Sequence, residues 1–140
     1  MKRHYIFASH GAFARGLLDS VELILGKQQN IYTLCAYLDE QRDLTEQVET
    51  LIAGLPEQDE VIVITDIFAG SVNNEFIRFL HQPNFHLIAG LNLPLVIGLL
   101  ISADEPDTEK LIQEALFSCR ESIQYCNQTI ASAVQADKDF

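Results

Sequence analysis

The chain has 140 residues, the size of one domain, and we expect residues 1–140 to fold as a single domain. Apolar residue types make up 48% of it and charged types 21%, which is typical of a globular protein. Nine Lys and Arg against 20 Asp and Glu give a net charge of −11, which argues against nucleic acid or an anionic membrane as a partner. The start lacks the apolar run of a signal peptide, and the most apolar stretch, Leu91 to Ile101, is about half the ~20 residues of a spanning helix. We therefore expect a cytoplasmic protein.

The first third of the chain alternates between strand and helix patterns. Tyr5 to Ala8 is a short apolar run that fits a buried strand. From Phe13 to Leu25 apolar residues recur at helical spacing, and Gly26 follows as a natural helix C-cap. Ile31 to Tyr37 predicts the second strand.

The middle of the chain repeats this alternation. Apolar residues at helical spacing from Leu44 to Leu55 predict a second helix, with Asp43 as its N-cap. Val61 to Ile64 is a continuous β-branched run that predicts the third strand. A third helical face extends from Val72 to Leu80 and ends at the breaking segment 81–84.

The last third begins with a strand and continues with helices. Phe85 to Ala89 predicts the fourth strand, and Asn92 fits the cap of a short helix that follows. Helical spacing from Thr108 to Ile123 predicts a long helix with its apolar residues facing inward. The stretch 123–134 has mixed helix and strand character, and the mostly polar end, 135–140, is expected to fray.

The order of these elements, βαβαβαβαα, predicts an α/β fold. Strands that are apolar throughout and alternate with helices indicate a parallel sheet with helices on both faces. Right-handed crossovers leave few topologies, and we expect a doubly wound four-stranded sheet in the order 2-1-3-4. In that order the chain winds in opposite directions from strand 1 to strand 2 and from strand 1 to strand 3. The expected ligand site is therefore the crevice at the carboxyl ends of strands 1 and 3.

Two residues at these strand ends, His10 and Asp66, predict a nucleophilic site. A free imidazole has a pKa of about 6.5, so at neutral pH it is mostly uncharged and has a lone pair with which to attack. A carboxylate on the other ring nitrogen fixes the tautomer and stabilises the positive charge that grows during attack. Simpler interpretations stay open: a polar loop histidine, and an aspartate that only caps a turn.

Three further residues fit a bound phosphoryl group. Gly70 and Ser71 open the third helix, whose N-terminus offers unpaired N–H groups and a partial positive charge. Ser71 fits the N-cap position and adds a hydroxyl, and Gly11 lets the backbone approach closely. Ordinary helix capping is the alternative interpretation of Gly70 and Ser71.

The remaining reactive side chains predict no metal or cofactor site. The other histidines fit structural or solvated positions: His4, His81 and His86. The cysteines fit small buried hydrophobic positions: Cys35, Cys119 and Cys126. The acidic residues in 104–109 fit the start of a helix. A receiver domain is excluded because strand 1 does not end in an acidic pair, and no Walker or GxGxxG run is present.

Three motifs together resemble the enzyme IIA components of the mannose-type (mannose, fructose, sorbose) bacterial sugar phosphotransferase system. They are Ser9-His10-Gly11 after strand 1, Asp66 to Asn74 (DIFAGSVNN) after strand 3, and Ala89 to Pro94 (AGLNLP) after strand 4. The family pattern is [S/T]-H-G, then D-x-x-G-G-S, then G-x-N-x-P. The motifs occur in the same order and at matching intervals.

The resemblance implies a role for each site residue in a phosphotransferase. His10 would be the phosphorylated histidine, Asp66 the carboxylate that orients it, and Ser71 with the backbone around Gly70 the holder of the phosphoryl oxygens. The phosphoryl group would come from the phosphocarrier HPr and pass to a histidine of enzyme IIB, which phosphorylates sugar entering through the membrane components IIC and IID. No cofactor takes part in this transfer. The resemblance also implies a homodimer that exchanges an antiparallel edge strand near the C-terminus.

The sequence departs from the family pattern at Ala69, where the family has its first glycine after the aspartate. We expect this change to tighten the loop and to alter partner preference. Two other functions stay open: a related subunit that donates phosphoryl groups to a dihydroxyacetone kinase, and a non-catalytic flavodoxin-like module that binds an anion or a regulator in the same crevice. Gly11 and the segment 90–94 favour the sugar branch over the kinase branch.

Overall fold

Residues 2–138, the part of the chain that this computed structural model describes, form four strands that alternate with helices and then two further helices, six helices in all. The strands are β1 (Arg3–His10), β2 (Ile31–Ala36), β3 (Glu60–Thr65) and β4 (Phe85–Ala89). The helices are α1 (Phe13–Leu25), α2 (Leu44–Ala53), α3 (Ser71–Ile77), α4 (Leu93–Ile101), α5 (Thr108–Arg120) and α6 (Cys126–Lys138). No helix in this described part combines the length and apolar character needed to cross a membrane.

The backbone groups into two compact units, one that extends to Ile97 and one that starts at Gly98. The first unit holds the sheet, α1 to α3 and the first turns of α4. The second holds the end of α4 together with α5 and α6. The expectation of one domain over residues 1–140 stays a prediction.

The sheet has the predicted topology, with all four strands parallel in the order β2-β1-β3-β4. His10 lies opposite Ala36 of β2, whereas the last residue of β1 that pairs with β3 is Ala8, opposite Thr65. The strand β1 therefore extends two residues beyond its pairing with β3. This extension carries His10 to the open carboxyl edge of the sheet.

Helices cover both faces of the sheet in the first unit. On one face, strand residues pack with α2 and α3 in a core cluster that includes Ile6, Val63, Val48 and Phe76. Alternate residues of a strand point to opposite faces, so Phe7 of β1 points to the other face, where α1 lies against β1 and β2. The strand interiors are buried on both sides, which explains why their sequences are continuously apolar.

Several helix ends agree with the sequence prediction. The helix α1 ends directly before Gly26. Oδ1 of Asn92 accepts a hydrogen bond from the backbone N–H of Leu95 at 2.9 Å, which caps the start of α4. Oδ1 of Asp107 likewise accepts from the N–H of Lys110 at 3.2 Å at the start of α5. The acidic cluster in 104–109 thus contributes a helix cap, as predicted.

The third helix differs from the prediction at both of its ends. It spans only Ser71–Ile77, and Leu80 lies in the turn that follows. Its N-cap is Gly70, so the prediction that Ser71 caps the helix was wrong. The preceding loop explains the difference, because the N–H of Gly70 bonds back to the carbonyl of Ile67 at 3.2 Å and leaves Gly70 extended. Helical geometry therefore begins at Ser71, and its side chain is free to bond elsewhere.

The second unit corrects the predicted C-terminal structure. The helix α5 ends at Arg120, so Ile123 lies beyond it, and its side chain is 88% exposed rather than inward. Residues Cys126–Lys138 form a helix, and the described residues contain no fifth strand that could be exchanged. A helix satisfies its backbone hydrogen bonds locally, whereas an edge strand needs a neighbour. Cys126 is exposed, not buried, and residues 139–140 of the predicted frayed end lie outside the described residues.

Candidate active site

His10 is the last residue of β1, and its side chain is 41% exposed at the carboxyl edge of the sheet. Its Nδ1 lies 2.8 Å from Oδ2 of Asp66, the residue that follows β3. The backbone N–H of His10 donates to the same oxygen, also at 2.8 Å. The structure thus brings His10 and Asp66 together as the topology predicts. Their chemical roles remain predictions.

The carboxylate of Asp66 is held in one orientation. Its Oδ1 accepts from the N–H of Ile67 at 3.1 Å, and only 11% of the side chain is exposed. Burial raises the pKa of Asp66, but the hydrogen bonds from the backbone and imidazole of His10 outweigh burial and hold that pKa below its usual value. An ionised carboxylate can only accept, so this contact assigns a proton to Nδ1 of His10, and in the neutral ring Nε2 then keeps its lone pair.

Nε2 of His10 faces two hydroxyl groups in series. Oγ of Ser71 lies 3.2 Å from Nε2, and the hydroxyl of Tyr37 lies 2.7 Å from Oγ of Ser71. The sequence prediction missed Tyr37, because it placed this residue inside strand 2, which ends at Ala36. The position of Tyr37 in the sequence could have predicted this contact, because a tyrosine at the carboxyl end of the strand next to β1 can reach the same crevice.

Ser9 anchors the turn that follows His10. Its buried Oγ accepts from the N–H of Ala14 at 2.8 Å and donates to the carbonyl of Gly11 at 3.1 Å. Gly11 has a φ of +61°, in the left-handed region that favours glycine. Its N–H donates to the carbonyl of Ala36 at 2.8 Å. The turn is therefore tied both to α1 and to β2.

The loop between β3 and α3 contains the departure from the family pattern. Ala69 has a φ of +63° in the turn that the bond from Gly70 to Ile67 closes. Glycine is the usual residue at such a position, so alanine here is strained. A Cβ at Gly70 would lie 3.3 Å from the carbonyl oxygen of Ile67 and 3.6 Å from Cε1 of His10. Gly70 thus lets the loop pass close to the imidazole ring.

Large apolar side chains are exposed along the carboxyl edge of the sheet, where this crevice lies. They follow the ends of β1, β2 and β3, and they are Phe13, Tyr37, Leu38, Ile67 and Phe68. Phe68 is the most exposed of them, at 80%. An apolar rim around a polar centre is typical of a surface that contacts another protein.

The other histidines lie outside this crevice. Nε2 of His4 is 2.9 Å from Asp59, and Nε2 of His86 is 2.6 Å from Glu60. His81 is exposed and donates through Nδ1 to a backbone carbonyl. Across residues 2–138, no group of three or more His, Cys, Asp or Glu side chains is placed to hold a metal ion.

These features define a flavodoxin-like fold whose carboxyl sheet edge presents an exposed histidine with a carboxylate partner. The sequence profile of the EIIA-man family, described as "PTS system fructose IIA component", matches residues 4–116. The chain belongs to this family. It is thus a mannose-type IIA component of the sugar phosphotransferase system (PTS), and its role is that of a phosphoryl carrier in sugar transport.

Individual relatives agree with this membership. The PTS system fructose-specific EIIA component of Bacillus subtilis (strain 168) is 25% identical over 136 residues, which are 96% of this chain and 93% of the relative. The PTS system mannose-specific EIIAB component of Escherichia coli (strain K12) is 27% identical over 122 residues; the match covers 85% of this chain but only 38% of that relative. A crystal structure of a candidate phosphoenolpyruvate-dependent sugar PTS permease from Klebsiella pneumoniae is 75% identical, with a TM-score of 0.91, and the match covers 93% of this chain and 95% of that one.

Proposed function

We propose that Nε2 of His10 accepts a phosphoryl group from phosphorylated HPr and passes it to a histidine of an enzyme IIB in the cytoplasm. The membrane components IIC and IID would be reached only through that IIB. The observation that carries this proposal is the placement of the two ring nitrogens of His10. Nδ1 is bound to Asp66 at 2.8 Å, while Nε2 keeps a lone pair at an exposed edge. Membership of the IIA family supplies the phosphoryl chemistry.

The transfer needs no proton to leave His10. Nε2 attacks the phosphorus of the phosphohistidine on HPr; the new N–P bond forms while the N–P bond to HPr breaks, and its electron pair returns to the imidazole of HPr. The ring of His10 then carries a positive charge while Nδ1 keeps its proton. The carboxylate of Asp66 stabilises that charge at 2.8 Å. Transfer to IIB is the same kind of displacement with His10 as the leaving group: a histidine nitrogen of IIB attacks the phosphorus, and the N–P bond to His10 breaks.

The phosphoryl oxygens would lie between Nε2 and the start of α3. Oγ of Ser71, 3.2 Å from Nε2, is close enough to donate to one of these oxygens. Gly70 leaves room beside Cε1 of His10 because it has no side chain. The N–H of Gly11 is already bonded to Ala36, so we assign Gly11 a conformational role beside the phosphoryl group rather than that of a donor.

The exposed apolar rim supports a protein as the phosphoryl donor. The rim residues that follow β2 and β3 include Leu38 and Phe68, which are 53% and 80% exposed. Burying such side chains against a partner surface is favourable by about 25 cal/mol per Å² of apolar surface. A small phosphate compound could not cover this area. Docking of a carrier protein would cover it and would place the donor phosphorus near Nε2.

Phosphorylation by purified phospho-HPr tests the assignment. We expect one acid-labile, alkali-stable phosphoryl group per chain, on Nε2 of His10. His10→Ala should abolish labelling and keep the fold. His86→Ala is the matched control, because His86 is also partly exposed and also pairs with a carboxylate, Glu60. That variant should be labelled like the wild type.

The outcomes separate the proposal from its alternatives. Labelling that persists in His10→Ala contradicts the assignment to His10. A protein that binds anions but never becomes covalently phosphorylated is the non-catalytic module. Phospho-His10 that transfers to a dihydroxyacetone kinase subunit but to no IIB histidine indicates the kinase branch.

We also propose that the chain forms a homodimer, as the family resemblance implies. Its C-terminal segment exposes apolar side chains that a partner could cover: Ile123, Tyr125, Ile130 and Val134. Light scattering at micromolar concentration should give twice the monomer mass. Ile130→Glu should lower that mass, and a monomeric wild type would contradict the proposal.

A further inference from the structure

Tyr37 has an unusual backbone conformation at the edge of the candidate active site. It follows Ala36, the last residue of β2, and its φ is +68°. This left-handed conformation is strained for a bulky residue. Burial does not compensate for the strain, because the side chain is 57% exposed. Strain of this kind persists where specific interactions hold a residue in place, and it clusters at functional sites.

Two contacts hold the side chain of Tyr37. Its hydroxyl lies 2.7 Å from Oγ of Ser71. Its ring centroid lies 5.5 Å from that of His10, with the ring planes tilted by 39°. These contacts connect the end of β2 to the histidine that ends β1 and to the helix that follows β3. Tyr37 therefore belongs to the site although it follows β2 rather than β1 or β3.

The hydrogen-bond chain at Nε2 has one direction in the unphosphorylated protein. Nδ1 of His10 donates to Asp66, so in the neutral ring Nε2 can only accept, and the hydroxyl of Ser71 donates to it. A serine hydroxyl has a single proton, so Oγ of Ser71 accepts from the hydroxyl of Tyr37. Tyr37 is the outermost donor of this chain.

We propose that Tyr37 is a positioning residue for the phosphorylated histidine, an inference that rests on the proposed function of His10. Once Nε2 carries the phosphoryl group it can no longer accept, and the hydroxyl of Ser71 turns to a phosphoryl oxygen. Tyr37 keeps donating to Ser71, which orients the serine hydroxyl and strengthens it as a donor. An anionic oxygen is a stronger acceptor than a neutral imidazole nitrogen, so the gain is larger in the phosphorylated state. Tyr37 thereby stabilises phospho-His10 and the transition state that leads to it.

Tyr37→Phe tests this role because it removes the hydroxyl and keeps the ring. The equilibrium of phosphoryl exchange with HPr should shift about five- to tenfold away from phospho-His10, and kcat for the forward step should fall by a similar factor. KM for phospho-HPr should stay within about twofold, since the apolar ring remains at the rim. Tyr32→Phe, at a partly buried tyrosine near the amino end of β2, is the matched control and should leave all three values unchanged.

A double-mutant cycle with Ser71→Ala tests whether Tyr37 acts through Ser71. If it does, Tyr37→Phe has no further effect in the Ser71→Ala background. Phosphoryl exchange at the wild-type level in Tyr37→Phe would overturn the proposal. A double variant whose loss equals the product of the two single losses would also overturn it, because Tyr37 and Ser71 would then act independently. Failure of the proposed function gives a different result, because the wild-type protein itself would then not be phosphorylated on His10.

Discussion

The two ends of the sheet each hold a histidine paired with an aspartate, yet the pairs differ in what surrounds them. At the carboxyl end, His10 and Asp66 lie 2.8 Å apart, and 41% of the histidine side chain is exposed. At the amino end, His4 and Asp59 lie 2.9 Å apart, but only 6% of the histidine side chain is exposed. The second nitrogen of His4, Nδ1, is buried without a hydrogen-bond partner, whereas that of His10 faces a hydroxyl and solvent. A histidine–carboxylate pair is therefore not a site by itself; a reagent must reach the free nitrogen.

The two ends of the sheet also differ in how many loop residues have a left-handed backbone conformation. The described residues with a left-handed φ at the carboxyl end are Gly11, Tyr37, Ala69 and Gly90. At the amino end the one described residue with such a φ is Gly26, where it ends a helix. Tyr37 and Ala69 carry strain there because they are not glycine. The strained loops are thus concentrated where the exposed histidine lies, which is common at functional sites.

The largest expected effect is on the rate of phosphoryl transfer, which should depend on Asp66 but not on Asp59. Asp66→Asn should slow transfer from phospho-HPr by roughly 10² to 10³, because Asn keeps the shape but loses the charge that stabilises the cationic ring. The matched variant, Asp59→Asn, should transfer at the wild-type rate. Rapid-quench kinetics measures both, with thermal melts as the folding control. Wild-type transfer by Asp66→Asn would mean that Asp66 is only structural.

For stability the order of the two ends is reversed: replacing His4 should destabilise the fold more than replacing His10. His4→Ala removes a buried ring and its bond to Asp59, and we expect the free energy of unfolding to fall by about 2 kcal/mol. His10→Ala, at an exposed position, should change it by less than about 1 kcal/mol. Urea unfolding provides both values. The contrast between the two ends fails if His10→Ala proves the more destabilising.

Low pH should reduce the stabilisation that both histidine–aspartate pairs give to the folded state. The hydrogen bond from His4 is the largest cause that lowers the pKa of Asp59, while at Asp66 burial raises the pKa and the bonds from His10 outweigh it. A carboxyl whose folded pKa lies below its unfolded value of about 3.9 stabilises the fold above that pH. The stabilisation is lost as pH falls through the lowered folded pKa values. Unfolding free energies measured from pH 6 downward should therefore fall less steeply in Asp59→Asn and in Asp66→Asn, and unchanged slopes would contradict this.

The smallest expected effect concerns the strain at Ala69. Ala69→Gly should raise the free energy of unfolding by about 0.5–1 kcal/mol, because glycine adopts a positive φ without a Cβ clash. Ala53→Gly is the control, at the exposed last residue of α2, and should lower it by up to about 1 kcal/mol. Thermal unfolding of both variants tests the sign. Equal destabilisation by both would show that the loop carries no strain.

The juxtaposition of His10 and Asp66 could be predicted from the sequence for a clear physical reason. Apolar periodicity is a local property, and it identifies strands and helices in order along the chain. Right-handed crossovers then limit how those strands can be arranged, so the sheet order and its switch point follow. Caps such as Asn92 were also predictable, because a cap forms within a few residues of chain.

The contribution of Tyr37 and the bonding of Ser71 were decided only by the tertiary structure. The end of β2 depends on its register against β1, which pairs Ala36 with His10 and leaves Tyr37 outside the strand. No local pattern encodes a tyrosine hydroxyl that reaches a serine 34 positions later in the chain. Where the pattern was weak, as in Cys126–Lys138, the sequence left helix and strand open. Periodicity determines which side of an element is apolar, but which loops meet, and through which atoms, depends on pairing between distant strands.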